Sequence, residues 1–195
     1  MEQEQNYSPP TKEQLQKELD RVRYKGGYLK ALRGTVAILI VVASVAVLAA
    51  TMIFPVLRIY GDSMAPALEE GNIVVTLKGS AYERGDLVAF YYNNKILVKR
   101  VIALSGEWVN IDEDGRVYIN DIYQEEEYLA EGERAMGECD IELPYQVPEG
   151  RIFVMGDHRS VSIDSRSSTV GCVAEEQVVG RLLFKIWPFT GIGPV

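Results

Sequence analysis

Ser63 lies in "Tyr60-Gly-Asp-Ser-Met-Ala-Pro-Ala-Leu-Glu-Glu-Gly71", a short way beyond a long apolar run. A serine hydroxyl is a weak nucleophile until a neighbouring base takes its proton. The chain has one histidine, His158, so a serine-histidine-acid arrangement would depend entirely on it. Lysine offers a second route. In "KILVKRVIAL" (95–104), period-two alternation sets Lys99 in an apolar row with Leu97, Val101 and Ala103. To be neutral near pH 7–8 a lysine must fall two to three units from about 10.4, a shift equivalent to roughly 3–4 kcal/mol against its charged form. An apolar pocket can impose that; a lysine that snorkels to solvent or meets a carboxylate stays charged.

A third stretch, "Gly156-Asp-His-Arg-Ser-Val-Ser-Ile-Asp-Ser-Arg166", alternates in sign at Asp157, Arg159, Asp164 and Arg166. Such alternation suits a loop held by charge-assisted hydrogen bonds, whose serines could orient a nearby amine. An ordinary polar hairpin loop would read the same way.

The elements that must position these residues follow from periodicity. Short alternating runs with turn signals begin after residue 59 and mark strands at 72–77, 86–92, 95–104, 108–111, 116–119, 151–155 and 181–187. Asn93-Asn94 and Asp114-Gly115 sit where tight hairpins need residues tolerant of positive φ. Pro66 fixes its own φ and restricts Ala65, so Ser63 is expected on a stiff, extended segment. The acidic stretch 120–142 has no clean period and reads as a solvated loop. The segment 174–180 reads as a helical turn or two. The fold class is therefore mainly β.

Before this domain, Gly34 to Leu57 carries no charge, a length sufficient to cross a bilayer core of about 30 Å. A cleaved leader would be shorter and would end in a small-x-small site, and the run contains no Ala-x-Ala. Arg21, Arg23, Lys25, Lys30 and Arg33 precede it, which by the positive-inside rule places the N-terminus in the cytoplasm. The expected organisation is a cytoplasmic stub (1–33) with a short helix capped by Thr11, a transmembrane anchor (34–57) and an extracytoplasmic domain (58–195). Ser63 then lies within roughly 20 Å of the membrane boundary, the reach of six extended residues. A net charge of -8 without a basic cluster in the main body argues against a nucleic-acid partner. Membrane lipid is the expected surroundings, with no metal or other cofactor. An oxidising outside would permit a disulfide between Cys139 and Cys172, but their separation does not decide it.

Taken in order, these stretches resemble the bacterial type I signal peptidases, membrane-anchored serine proteases that remove signal peptides. "GDSMAPAL" is similar to the nucleophile box, with Ala67 for threonine; "RGDLVAF" to the next box; "KRVIALSGE" to the lysine box; "GDHRSVSIDSR" to the last. The likeness runs from the anchor to about Trp187. It implies a β-rich catalytic domain of the signal peptidase type, with Ser63 as nucleophile and Lys99 as general base. It implies Ser162 as the hydroxyl that orients the lysine, and Asp164, Arg166, Asp157 and Arg159 as support. Ile59, Tyr60, Met64, Leu68, Leu97 and Val98 would line shallow subsites for small residues before the cut, and the partners would be the signal peptides of preproteins. Three departures stand out: Gly61 replaces a hydroxyl that serves some members as a second oxyanion donor, His158 replaces the usual asparagine, and the spacer in "DSRSSTVGCV" is longer. Relatives that use histidine do so at the lysine position, here Lys99, so His158 is not that residue. A dedicated processing peptidase for one exported substrate and a catalytically silent tethered binding module are the competing readings.

Overall fold

The computed structural model describes residues 9–195, with Lys25 and Gly26 described by their backbone alone, so residues 1–8 of the expected stub lie outside the described residues. The chain divides into two compact units, one up to Ala50 and one from Thr51 to Val195.

The expected short helix and most of the apolar run form one element, which makes up the first unit and ends three residues beyond it. Helix α1 spans Lys12–Ile53, and the Gln14 side chain accepts the Thr11 backbone N–H at its start. Glu18 and Arg21 pair on its surface at 3.2 Å. Within the apolar stretch the Ser44 hydroxyl donates back to the Ile40 carbonyl, which satisfies that hydroxyl in apolar surroundings. The segment is long and apolar enough to cross a membrane by length and composition. The helix stops at Ile53, short of the Leu57 boundary read from hydropathy. Pro55 explains the stop, since it lacks an N–H and disfavours helix at Phe54. The helical part of the run, Gly34 to Ile53, still rises about 30 Å, the thickness of a bilayer core. Val56 and Leu57 belong to the first strand instead, and both the N–H and the hydroxyl of Thr76 donate to the Pro55 carbonyl to pin the entry of the chain.

The second unit is built from two antiparallel sheets. The larger has the order β1 (Val56–Arg58), β2 (Ile73–Lys78), β11 (Val178–Trp187), β3 (Leu87–Tyr92), β4 (Lys95–Ala103), β9 (Arg151–Met155) and β10 (Val173–Ala174), with β12 (Gly193–Pro194) also on β11. The smaller has the order β7 (Ile122–Tyr123), β6 (Val117–Ile119), β5 (Trp108–Ile111) and β8 (Tyr145–Gln146). All seven strands expected from the sequence are present, and Asn93 and Asn94 take positive φ (43° and 65°) in the β3–β4 hairpin. The segment after Ala174 is a single 3-10 turn, Glu175–Gln177, before β11.

Leu87 to Phe90 of β3 are all buried, as a strand covered on both faces requires. A bulge in the β4–β9 ladder between Val101 and Ala103 breaks the alternation, so Ala103 leaves the face that a period-two count assigns it. Ile102, Ala103, Phe153 and Met155 then join Val109, Val117 and Ile119 of the small sheet in one core cluster. Cys139 and Cys172 are both free thiols; Cys172 is buried, and burial pushes its thiol up to about 11. Phe153 is fully buried where the sheets meet. Phe153→Ala is expected to cost about 3–5 kcal/mol of stability, read by denaturant unfolding of the full chain in detergent.

Candidate active site

Lys99 reaches the site from the middle of β4, where it pairs with Val88 across the β3–β4 ladder. Adjacent strand residues face opposite ways, so Lys99 and Arg100 leave the strand on different sides. Both are buried. Lys99 is only 3% exposed, and its Nζ donates to Ser162 Oγ at 2.9 Å. Burial pushes the ammonium down, against the attraction of Asp164, to about 8.

Ser162 sits on the loop that follows β9. The loop folds back so that Ser165 brackets Val154, with the Val154 N–H donating to Ser165 Oγ and the Ser165 N–H to the Val154 carbonyl. That return leg brings Asp164 beneath the start of the loop. Its Oδ2 accepts the Gly156 N–H at 2.9 Å and the Ser162 hydroxyl at 2.7 Å, while Arg166 grips both oxygens through Nε (2.8 Å) and Nη2 (2.9 Å). Burial pushes the Asp164 carboxyl up, yet the Arg166 guanidinium and these donors together hold it below the usual carboxylate range. Because Ser162 spends its proton on Asp164, it meets Lys99 as an acceptor.

Ser63 comes from the other side. The expected extended segment is instead a pair of overlapping turns, in which Ala65 N–H donates to Asp62 O and Leu68 N–H to Met64 O, with the Ala65–Pro66 peptide cis. The Ser63 carbonyl accepts the His158 N–H at 3.2 Å. Gly156 lies between the Ser63 carbonyl and the Ser162 side chain, so close that a Cβ there would collide with both. This approach brings the backbone of Ser63 to the hydroxyl that holds Lys99. No hydrogen bond joins Ser63 Oγ to Lys99 Nζ among the described residues.

Ser63 faces a cleft of about 650 Å³ whose walls come from residues 57–60 on one side and 95–98 on the other. Ile59, Tyr60, Met64, Leu97 and Val98, the residues that the resemblance assigns to subsites, line it. Leu68 does not: it is fully buried in the core with Met64, Val74 and Leu87, where no ligand can touch it. The resemblance implied a subsite role for Leu68, but the turn closed by its N–H on the Met64 carbonyl leaves it inside the core.

The alternating charges of the loop make only one pair among themselves, Asp164 with Arg166. Asp157 is held by Arg100 through Nε (2.8 Å) and Nη2 (2.6 Å), and Arg159 by Glu126. Arg100, Glu126 and Tyr128 were not singled out from the sequence. Arg100 had a signal, since a second cation beside Lys99 on a strand covered on both faces needs an anion. Glu126 had none, because it stands between Glu125 and Glu127 and only the fold makes it the buried one. The acidic stretch is thus not wholly a solvated loop. His158 points its Nε2 at Glu133, 3.5 Å away on that stretch, and contributes only its backbone to Ser63.

A buried lysine hydrogen-bonded to one serine, with a second serine at an apolar cleft across Gly156, is a site that a serine peptidase could use. The chain belongs to the signal peptidase family: the family model described as "Signal peptidase, peptidase S26" matches residues 32–187. Signal peptidase IB of Staphylococcus aureus (strain COL) is 36% identical over 150 residues, 68% of this chain and 77% of that protein. Thylakoidal processing peptidase 1, chloroplastic, of Arabidopsis thaliana is 35% identical over 143 residues, 65% of this chain and 40% of that protein's length. Among solved structures, a signal peptidase I from Enterococcus faecalis V583 aligns with a TM-score of 0.45 at 31% identity, covering 53% of this chain and 97% of that one.

The lowered Lys99 pKa has a consequence for stability. Between about pH 8 and its unfolded value of 10.5 the unfolded chain binds the proton that the folded chain has lost, so stability rises with pH across that window. Relative to a Lys99→Met variant, the wild type is expected to gain on the order of 3 kcal/mol from pH 7 to pH 10.5, read by denaturant unfolding of both proteins at the two pH values.

Proposed function

We propose that this protein is a membrane-bound endopeptidase that cleaves N-terminal signal peptides from exported preproteins after a small-x-small site, with Ser63 as nucleophile and Lys99 as general base. The observation that carries the reading is the desolvated Lys99 amine, held by the Ser162 hydroxyl, which itself faces the Ser63 backbone across Gly156. Family membership and the similarity to a staphylococcal signal peptidase support the substrate class.

The chemistry follows from the order of protons. Neutral Lys99 takes the Ser63 hydroxyl proton as Oγ attacks the scissile carbonyl carbon, and the carbonyl oxygen becomes an oxyanion. The Ser63 backbone N–H donates to that oxyanion. Collapse breaks the C–N bond, the Lys99 ammonium returns its proton to the leaving amine, and an acyl-Ser63 ester remains. Lys99 then deprotonates a water that hydrolyses the ester. Ser162, committed as a donor to Asp164, fixes one N–H of the amine so that its lone pair is free for Ser63. Asp164, Arg166, Asp157 and Arg159 hold the loop that carries Ser162. The apolar cleft takes the residues before the cut through Ile59, Tyr60, Met64, Leu97 and Val98. Helix α1 anchors the chain as a single pass with its N-terminus cytoplasmic, so that Ser63 works outside and beside the bilayer.

Wild type in detergent or lipid is expected to cut a purified preprotein bearing an Ala-x-Ala site, with kcat/KM rising through about pH 8 as Lys99 loses its proton. Ser63→Ala and Lys99→Ala, folded by circular dichroism, are each expected to lose at least roughly a thousandfold in kcat. Full activity in Lys99→Ala, or a wild type inert on a broad preprotein panel, would overturn the assignment.

A further inference from the structure

We infer that Glu126, braced by Tyr128, is a positioning residue for the Lys99 amine, acting from the acidic stretch through Arg159 and Gly156. The connection is a series of hydrogen bonds between buried groups. Glu126 Oε2 accepts from Arg159 Nη1 at 3.1 Å, and Oε1 accepts from Nη2 of the same guanidinium. Arg159 Nε donates to the Gly156 carbonyl at 3.1 Å. The Gly156 N–H donates to Asp164 Oδ2, the oxygen that also receives the Ser162 proton. Ser162 Oγ in turn accepts from Lys99.

Gly156 is the sensitive link. It occupies the gap between the Ser63 carbonyl and the Ser162 side chain, and it has no slack for even a methyl group. Whatever holds its carbonyl therefore sets the separation between the backbone of the nucleophile and the hydroxyl that orients the base. Arg159 holds it, and Glu126 fixes Arg159.

Tyr128 doubles the brace. Its hydroxyl donates to Glu126 Oε1 at 2.6 Å, and its ring lies 3.9 Å beneath the Arg100 guanidinium that clamps Asp157. Two residues of one stretch thus steady both arginines behind the loop. The same stretch reaches the loop again through Met136, whose carbonyl accepts from Arg166 Nη1 at 2.5 Å, and through Asp140, whose carboxylate accepts the N–H and hydroxyl of Ser168.

Stability alone does not account for this arrangement. A buried carboxylate–guanidinium pair is commonly no more stabilising than apolar residues of the same volume, because both ions lose their hydration. Its position in series with Ser162 does account for it. The Glu126 charge is matched by Arg159, and the charges that weigh on Lys99 are foremost those of Asp164, Arg166 and Asp157, so the route from Glu126 to the amine is the hydrogen-bonded series through Gly156.

The test compares full-length wild type, Glu126→Gln and Tyr128→Phe in detergent, by preprotein cleavage and by NMR titration of the Lys99 ε-methylene, assigned with Lys99→Arg. Only the cleavage arm rests on the peptidase reading. Glu126→Gln is expected to lower kcat roughly ten- to a hundredfold, with KM changed less than about threefold. The Lys99 midpoint is expected to rise by about half a unit or more as water reaches the loosened amine. Tyr128→Phe, which keeps the ring under Arg100, is expected to move both in the same direction by less. A folded Glu126→Gln with unchanged kcat and unchanged midpoint would overturn the proposal. Should Glu126→Gln not fold, Tyr128→Phe decides, its unmoved midpoint counting against. Should the wild type cut no preprotein while Glu126→Gln still moves the midpoint, the peptidase reading fails and the positioning role stands.

Discussion

The cost of keeping a lysine amine out of water is the constraint on which the rest of the domain depends. An ammonium in that position is disfavoured by desolvation and favoured by Asp164, and the balance leaves Lys99 titrating near 8. An unpaired Asp164 would favour the proton on the amine more strongly. Arg166 prevents this by engaging both carboxylate oxygens, and the Gly156 N–H and the Ser162 hydroxyl share one of them. The two sheets then serve to bring β4, the loop after β9 and the turn at Ser63 to one place.

The same constraint explains why so much charge is buried nearby. Arg100, Asp157, Arg159, Asp164 and Arg166 are all buried, together with Glu126, and each ion has a partner. Such a set is poor at adding net stability but good at admitting one arrangement, since a shift of one member would strand another without a counter-ion. The site is held by complementarity of charge where an apolar core would tolerate repacking.

Much of this was legible in the residues. The seven strands followed from alternation, the β3–β4 hairpin from Asn93-Asn94, and the order of motifs led to Ser63, Lys99, Ser162, Asp164 and Arg166, of which the last four prove to be joined by hydrogen bonds. What could not be read depends on tertiary contact. The bulge at Ile102 is invisible to a periodic count, and Leu68 turns inward because the segment after Ser63 is a turn where proline suggested extension. Glu126 is chemically the same as its neighbours, and only the packing of the acidic stretch on the loop separates it from them. The helix end at Ile53 was in principle readable, since Pro55 marks it, but hydropathy continues across the break because β1 is apolar too.

The two thiols give the fold an independence of its surroundings. Neither closes a cross-link, and Cys172, buried with its thiol pushed up to about 11, stays protonated and unreactive at neutral pH. The sheets cohere through their hydrogen-bonded ladders, apolar contact and ion pairing. With both thiols free, no disulfide has to close before Ser63, Lys99 and Ser162 are brought together.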